Sequence, residues 1–407
     1  MPADRIASLE TFAIRLPRGP DAVTGTAGTP TALRQSAFDY RWSETYPALY
    51  SVNFESALFR LTTEAGLVGW GEAQAPLAPD VPCLIAERLL RPAVEGEEFD
   101  GAPSRVAEFW HRMYSTMRVR GQTGGFMLDA ISGVDIALWD LAGKMAGRPV
   151  AELLGGELPA EPIPAYLSGL SGASNAERVA QAAGAWRQGF RAYKLFYDRG
   201  EDDLFDLIDG IRAEVSPDAE IAVDALWRLD ESTAIPFGRK LDARRTLWLE
   251  CPLPPELAGA HAFLADAIET PLALGESYRT RYELAPMLER RVVRWLQPDL
   301  GRCGITEAME WARYAEQHGL EIVPHISIAM GPQIAAALHL AAAASSCHLA
   351  EYNPKVFTVA NRFLKMPLRF EGAAYTLPEG PGLGIEIDEQ AVLSVAARPV
   401  LQRVSGQ

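Results

Sequence analysis

The chain has 407 residues, 48% of them hydrophobic, enough for a sizeable core and, at roughly 150 residues per domain, for two or three domains. The hydrophobic share and only 22% charged residues exclude a globally disordered chain, and 38 Lys and Arg against 53 Asp and Glu give a formal charge of −15 that repels nucleic acid and anionic membrane surfaces. An anionic substrate would therefore need positive charge supplied locally, by a metal or a lysine.

The first segment, Met1 to Arg18, carries Asp4, Arg5 and Glu10 among its apolar residues and so lacks the apolar stretch of a signal peptide. No run approaches the roughly 20 apolar residues of a membrane span. Cys83, Cys251, Cys303 and Cys347 are scattered and form no CxxC pair, which fits a reducing cytoplasm.

Apolar and polar residues alternate over Ile6–Leu16 and Ala57–Glu72, with a turn at Glu64-Ala65-Gly66, which predicts an antiparallel meander. Between these strands, 17–50 reads as a long loop rich in Gly, Thr, Pro and aromatics. Helical periodicity runs from about Val81 to Ala146, where Gly147 and Pro149 end it. After Pro162 come eight short apolar runs, each followed by a helical segment: Ile163–Leu167, Ala192–Phe196, Ile221–Asp224, Leu247–Glu250, Leu272–Glu276, Val293–Asp299, Glu321–His325 and His348–Glu351. Eight strand–helix units predict an α/β fold with a (β/α)8 barrel, whose C-terminal rim is where chemistry is done.

Seven ionisable residues end the last seven runs: Lys194, Asp224, Glu250, Glu276, Asp299, His325 and Glu351. Asp224, Glu250 and Glu276 end successive units, and three carboxylates that close need a cation to stay ionised. All-oxygen ligation suits Mg2+, with Mn2+ possible, and no His or Cys joins the set to favour zinc. Across the mouth, Asp299 and His325 end consecutive units, so the carboxylate can orient the imidazole as a general base requires. Lys194 is expected on the far side of the metal, offsetting carboxylate charge. The remaining histidines, His111, His261, His318, His339 and His348, read as structural.

The order of these seven residues resembles the enolase superfamily, specifically its mandelate racemase subgroup. The local contexts agree: Ala-Leu-Trp-Asp-Leu-Ala-Gly-Lys at 137–144, Gly275-Glu276, Gln297-Pro298-Asp299-Leu300, Pro324-His325, Glu351-Tyr352-Asn353-Pro354 and Pro381-Gly382-Leu383-Gly384. The resemblance implies an α+β capping domain (1–130), a barrel (131–360) and a C-terminal segment (361–407) returning to the cap. Specificity loops would lie at about 17–50 and 73–82. It also implies a shared first step: Mg2+ binds the carboxylate of a small-molecule substrate, a base removes the α-proton, and the metal with Lys194 and Glu351 stabilises the enediolate. Self-association is a further tendency of the family.

Two departures bear on the reaction. Subgroup members that work from both faces carry Lys-x-Lys on the second strand, and here the triplet is Lys194-Leu195-Phe196; the Asp-x-Asn of the third strand reads Asp224-Ala225-Leu226. With His325 alone, β-elimination is expected, dehydrating an aldonic or aldaric acid to a 2-keto-3-deoxy acid. A racemase or epimerase of a hydroxy or amino acid would need an acid opposite His325, from Tyr193, Tyr197 or a capping residue. A non-catalytic relative would have lost Asp224, Glu250, Glu276 or His325, and none is lost. In the cap, Arg34, the segment around Tyr46, Arg118 and Arg120 are within the reach expected for a polyol, or form ordinary surface ion pairs.

Overall fold

The computed structural model of the chain describes residues 4–18, 39–43, 48–159 and 161–397. Strand Asp4–Pro17 pairs antiparallel with Asn53–Thr63, which pairs in turn with Val68–Ala73. The register shifts between Ile6 and Ser8. That irregularity lets Ile6 and Leu9, an odd number of residues apart, both face the core, where strict alternation would have exposed one of them.

Helix Phe126–Ala146 packs across this sheet and is buried on almost every side. Glycines allow the close approach: a Cβ on Gly71 would stand 2.0 Å from the carbonyl oxygen of Gly133, and one on Gly69 2.4 Å from that of Ala137. The helix stops at Gly147, in the left-handed conformation at φ 65°, whose amide returns to the last turn. Near this end the buried Asp140 ties three segments together. It accepts from the Trp70 amide (2.9 Å), Lys144 Nζ (2.7 Å) and the Leu383 amide (2.9 Å).

The barrel strands are Ile163–Ser168, Ala192–Phe196, Glu220–Asp224, Leu249–Glu250, Leu272–Leu274, Trp295–Leu296, Glu321–Ile322 and Ala350–Tyr352. Consecutive strands pair in parallel from the first to the seventh, and the eighth pairs in parallel with the first. The remaining gap is bridged by the Ile322 amide donating to Ser346 O at 3.0 Å. The fold is thus a TIM-like barrel with an N-terminal α+β capping domain. Tyr166, Ala192, Ala222, Trp248, Ala273 and Val323 pack together as a separate cluster inside the ring, large rings set against alanines as a filled barrel requires.

The tail joins both parts. Hairpin Phe370–Glu371 and Ala374–Tyr375 pairs with the first barrel strand, and Ala396–Ala397 pairs with Asp4–Pro17. Within the segment expected as a loop, Tyr40–Ser43 and Ala48–Ser51 form a hairpin. Arg34 and Tyr46 lie outside the described residues. Among the described residues, no helix is long and apolar enough to cross a membrane.

Candidate active site

All seven rim residues are buried: Asp224 and Glu250 end their strands, Lys194 and Glu351 lie one or two residues before a strand end, and Glu276, Asp299 and His325 lie two or three residues beyond one. Lys194 Nζ lies 2.9 Å from Glu250 Oε1 and 2.9 Å from Glu351 Oε1. The second oxygen of Glu250 accepts from Trp248 Nε1 (2.9 Å) and Gln297 Nε2 (2.7 Å). Glu351 Oε2 accepts from the amide of Ile326 at 2.7 Å, which ties the last strand to the loop carrying His325. Burial works against the Lys194 charge, but Glu250 and Glu351 outweigh it and hold its pKa well above the ordinary lysine value.

Asp299 is the N-cap of helix Leu300–His318, its Oδ1 accepting from the Gly301 amide at 3.0 Å. Its Oδ2 stands 2.8 Å from His325 Nδ1, and the two residues form a parallel β-bridge. Because a carboxylate only accepts, Nδ1 carries the proton there and Nε2 faces the mouth.

His325 is not across the mouth from the carboxylates, as the strand order suggested. Its Nε2 lies 2.5 Å from Glu276 Oε2, and ligand atoms of Glu250, Glu276 and His325 all fall within 4.8 Å of one another. The two strands are only two places apart in the ring, and long side chains close that gap. A nitrogen donor therefore does join the cluster, so the lack of one no longer separates Mg2+ from zinc. Asp224 stands outside this tight set, its Oδ1 accepting from the Leu226 amide at 2.9 Å. It is nonetheless close enough that burial, followed by the charges of Glu250 and Glu276, pushes its pKa well above the ordinary value. Unrelieved negative charge of this kind is what a hard divalent cation would neutralise, so the donor set fits one.

Phe196 stands where the second lysine of a two-sided site would be, with Lys194 Nζ 5.8 Å from its ring centre. Neither nearby tyrosine supplies the missing acid. Tyr193 donates to the Ala182 carbonyl at 2.9 Å, in the helix packed outside the barrel, and the Tyr197 ring packs 4.9 Å from that of Phe237. Tyr50, on the capping hairpin and 40% exposed, is a residue that sequence reasoning missed: partial burial and then the charges of Asp224 and Glu276 raise its pKa. Trp248, which donates to Glu250, was missed as well; the signal that could have found it is strand alternation, which puts it on the face of Glu250 two residues on. Arg118 and Arg120 are exposed.

The family model for the mandelate racemase / muconate lactonizing enzyme N-terminal domain matches residues 48–155, and that for the enolase C-terminal domain-like fold matches 177–391. The chain is 31% identical over 378 residues to D-galactarolactone cycloisomerase of Agrobacterium fabrum, covering 89% of this chain and 97% of that protein. It is 32% identical over 352 residues to D-galactonate dehydratase of Ralstonia pickettii, covering 82% and 89%. An enolase superfamily structure from Agrobacterium tumefaciens superposes with a TM-score of 0.90 at 30% identity, covering 97% of this chain and all of that one. With its rim of lysine, carboxylates and a histidine–aspartate pair, the chain belongs to the enolase superfamily, in the mandelate racemase subgroup.

Proposed function

We propose that the protein is a Mg2+-dependent dehydratase of an acid sugar, an aldonic or aldaric acid, acting by one-base β-elimination. The observation that carries this reading is the pairing of a single His325–Asp299 dyad with an aromatic ring, Phe196, where a second base would stand. Asp224, Glu250 and Glu276 would hold the cation, Mn2+ being the alternative, which would supply positive charge at the substrate carboxylate. His325 Nε2 takes the α-proton, and Asp299 stabilises the imidazolium that results. Lys194, held by Glu250 and Glu351, offsets charge building on the carboxylate oxygens. The imidazolium then returns its proton to the departing 3-hydroxyl, releasing water, and the enol product ketonises to a 2-keto-3-deoxy acid. The D-galactonate dehydratase relative supports this outcome.

The cycloisomerase relative favours a second reading, elimination within an acid-sugar lactone. There the leaving group is a ring carboxylate, which departs without a proton, so His325 alone again suffices. Racemisation or epimerisation would need a donor on the Phe196 side. Four buried free cysteines accord with a reducing cytoplasm, and self-association follows the family tendency.

Proton NMR with Mg2+ in D2O, against a panel of aldonic acids, aldaric acids and their lactones, tests these readings. New 3-deoxy methylene signals from a free acid support dehydration, and the same signals from a lactone alone support ring opening. Exchange or inversion at the α-carbon with the carbon skeleton intact would overturn elimination.

A further inference from the structure

Asp299 does not orient His325 unaided. Its Oδ1, besides capping the helix, accepts from Gln333 Nε2 at 2.9 Å, which leaves Oδ2 for the imidazole. Since a carboxylate only accepts, this contact assigns the amide group of Gln333 to the Asp299 side. Gln333 sits in the first turn of helix Pro332–Ala343, and its own backbone amide donates to Glu72 Oε2 at 3.0 Å. The other oxygen of Glu72 accepts from the Met330 amide (2.6 Å) and from the Ser56 hydroxyl (2.7 Å). Glu72, Gln333 and Asp299 are each 0% exposed, so water cannot substitute for any of these bonds. Gly301 keeps the arrangement close, because a Cβ there would stand 2.5 Å from Gln333 Oε1.

We propose that Gln333, seated by Glu72 from the capping sheet, is a positioning residue that fixes the Asp299 carboxylate and through it the tautomer and tilt of His325. The capping domain then helps assemble the base as well as covering it. Two donors on Oδ1 define the rotation of the carboxylate. With one removed, the group can turn about its terminal bond and carry Oδ2 off the line to Nδ1. The inference rests on the reading of His325 as the base.

The test is Gln333→Met, which keeps length and removes the donor, with Gln333→Asn as the second variant should the first fail to fold. For either variant, kcat for α-proton abstraction, read as dehydration product formed, should fall about tenfold or more, with KM and cation affinity within about twofold of wild type. Asp299→Asn combined with Gln333→Met should be no slower than Asp299→Asn alone. Multiplication of the two losses would show that Gln333 acts elsewhere and overturn the proposal. A second readout needs no substrate: the low-field proton resonance of His325 Nδ1–H, assigned by its change in Asp299→Asn. It should move in Gln333→Met and stay in place in Thr306→Val, which removes a separate hydroxyl bond from helix Leu300–His318 to Asp135. An unmoved resonance in Gln333→Met refutes the proposal. A moved resonance in a protein whose wild type turns over no acid sugar supports it while removing the dehydratase reading.

Discussion

The imidazole of His325 is gripped at both ends, with Glu276 Oε2 2.5 Å from Nε2 and Asp299 Oδ2 2.8 Å from Nδ1. Burial disfavours a charged ring, but the Glu276 charge and the Asp299 bond outweigh it and raise the His325 pKa well above the ordinary value. The effect is mutual: burial alone would raise Glu276, yet the imidazolium brings it below the ordinary carboxylate value. With Glu276 free the ring is therefore held as imidazolium; a cation bound to Glu276 would release Nε2 to act as proton acceptor, and His325→Asn removes both that acceptor and the positive charge that competes for Glu276. α-Proton abstraction, read as formation of the 2-keto-3-deoxy product, should fall by about 10²–10⁴-fold, with Mg2+ affinity by calorimetry no weaker than wild type. Turnover within tenfold of wild type would remove His325 as the base.

Glu250 is wholly buried and serves Lys194, Trp248 and Gln297 at once. Glu250→Gln keeps the shape but removes the charge and sets an amide donor against these three donors. The cation should bind at least tenfold more weakly. A thermal shift measures this directly, because a ligand at 100 times its Kd adds about 2.7 kcal/mol of stability. The Mg2+-dependent rise in Tm should shrink in the variant, and an undiminished rise would remove Glu250 from the metal site.

The barrel was legible because one local pattern recurs, an apolar run followed by a helical segment, with an ionisable residue such as Glu250 or His325 at or near the end of seven of the eight runs. Which strand ends neighbour one another follows from chain order in a closed parallel ring. What order does not reveal is reach. His325 meets Glu276 because two extended side chains span the intervening strand end, a matter of rotamer and length. Gln333 and Glu72 were illegible for a different reason: the bonds joining them cross between capping sheet and barrel, and nothing in either local pattern specifies a partner so far away in sequence. Asp140 is intermediate. Its sequence context pointed to the family, but its work as a buried acceptor for Trp70 and Leu383 required the structure.

Asp140→Ala strands the Trp70 and Leu383 amides and leaves the Lys144 ammonium only the Val68 carbonyl at 2.8 Å. Removing one partner of a buried charged contact costs about 3–5 kcal/mol, so the denaturant midpoint should fall markedly. Asp140→Asn, which can still accept from one amide, should lose less. Equal stability of wild type and Asp140→Ala would show that the cap, helix and tail do not depend on this joint.

His339 gives stability one pH-dependent contribution on the acid side. Its ring is wholly buried, Nδ1 accepts from the Ala151 amide at 3.2 Å, and burial brings its pKa down from 6.5 to about 4. The folded state therefore prefers the neutral ring. Its contribution is complete above about pH 6.5 and is lost as pH falls toward 4, reaching roughly 3 kcal/mol when the unfolded chain alone can charge the group. Asp135 and Glu72 act in the opposite sense: burial raises both to about 7, so their contribution falls as pH rises from the ordinary carboxylate range toward 7. Those two acids are unchanged in His339→Gln, so comparing the variant with wild type isolates the histidine. Tm of wild type should drop more steeply than that of the variant between pH 6.5 and 4, and parallel curves over that window would exclude His339 as the titrating group.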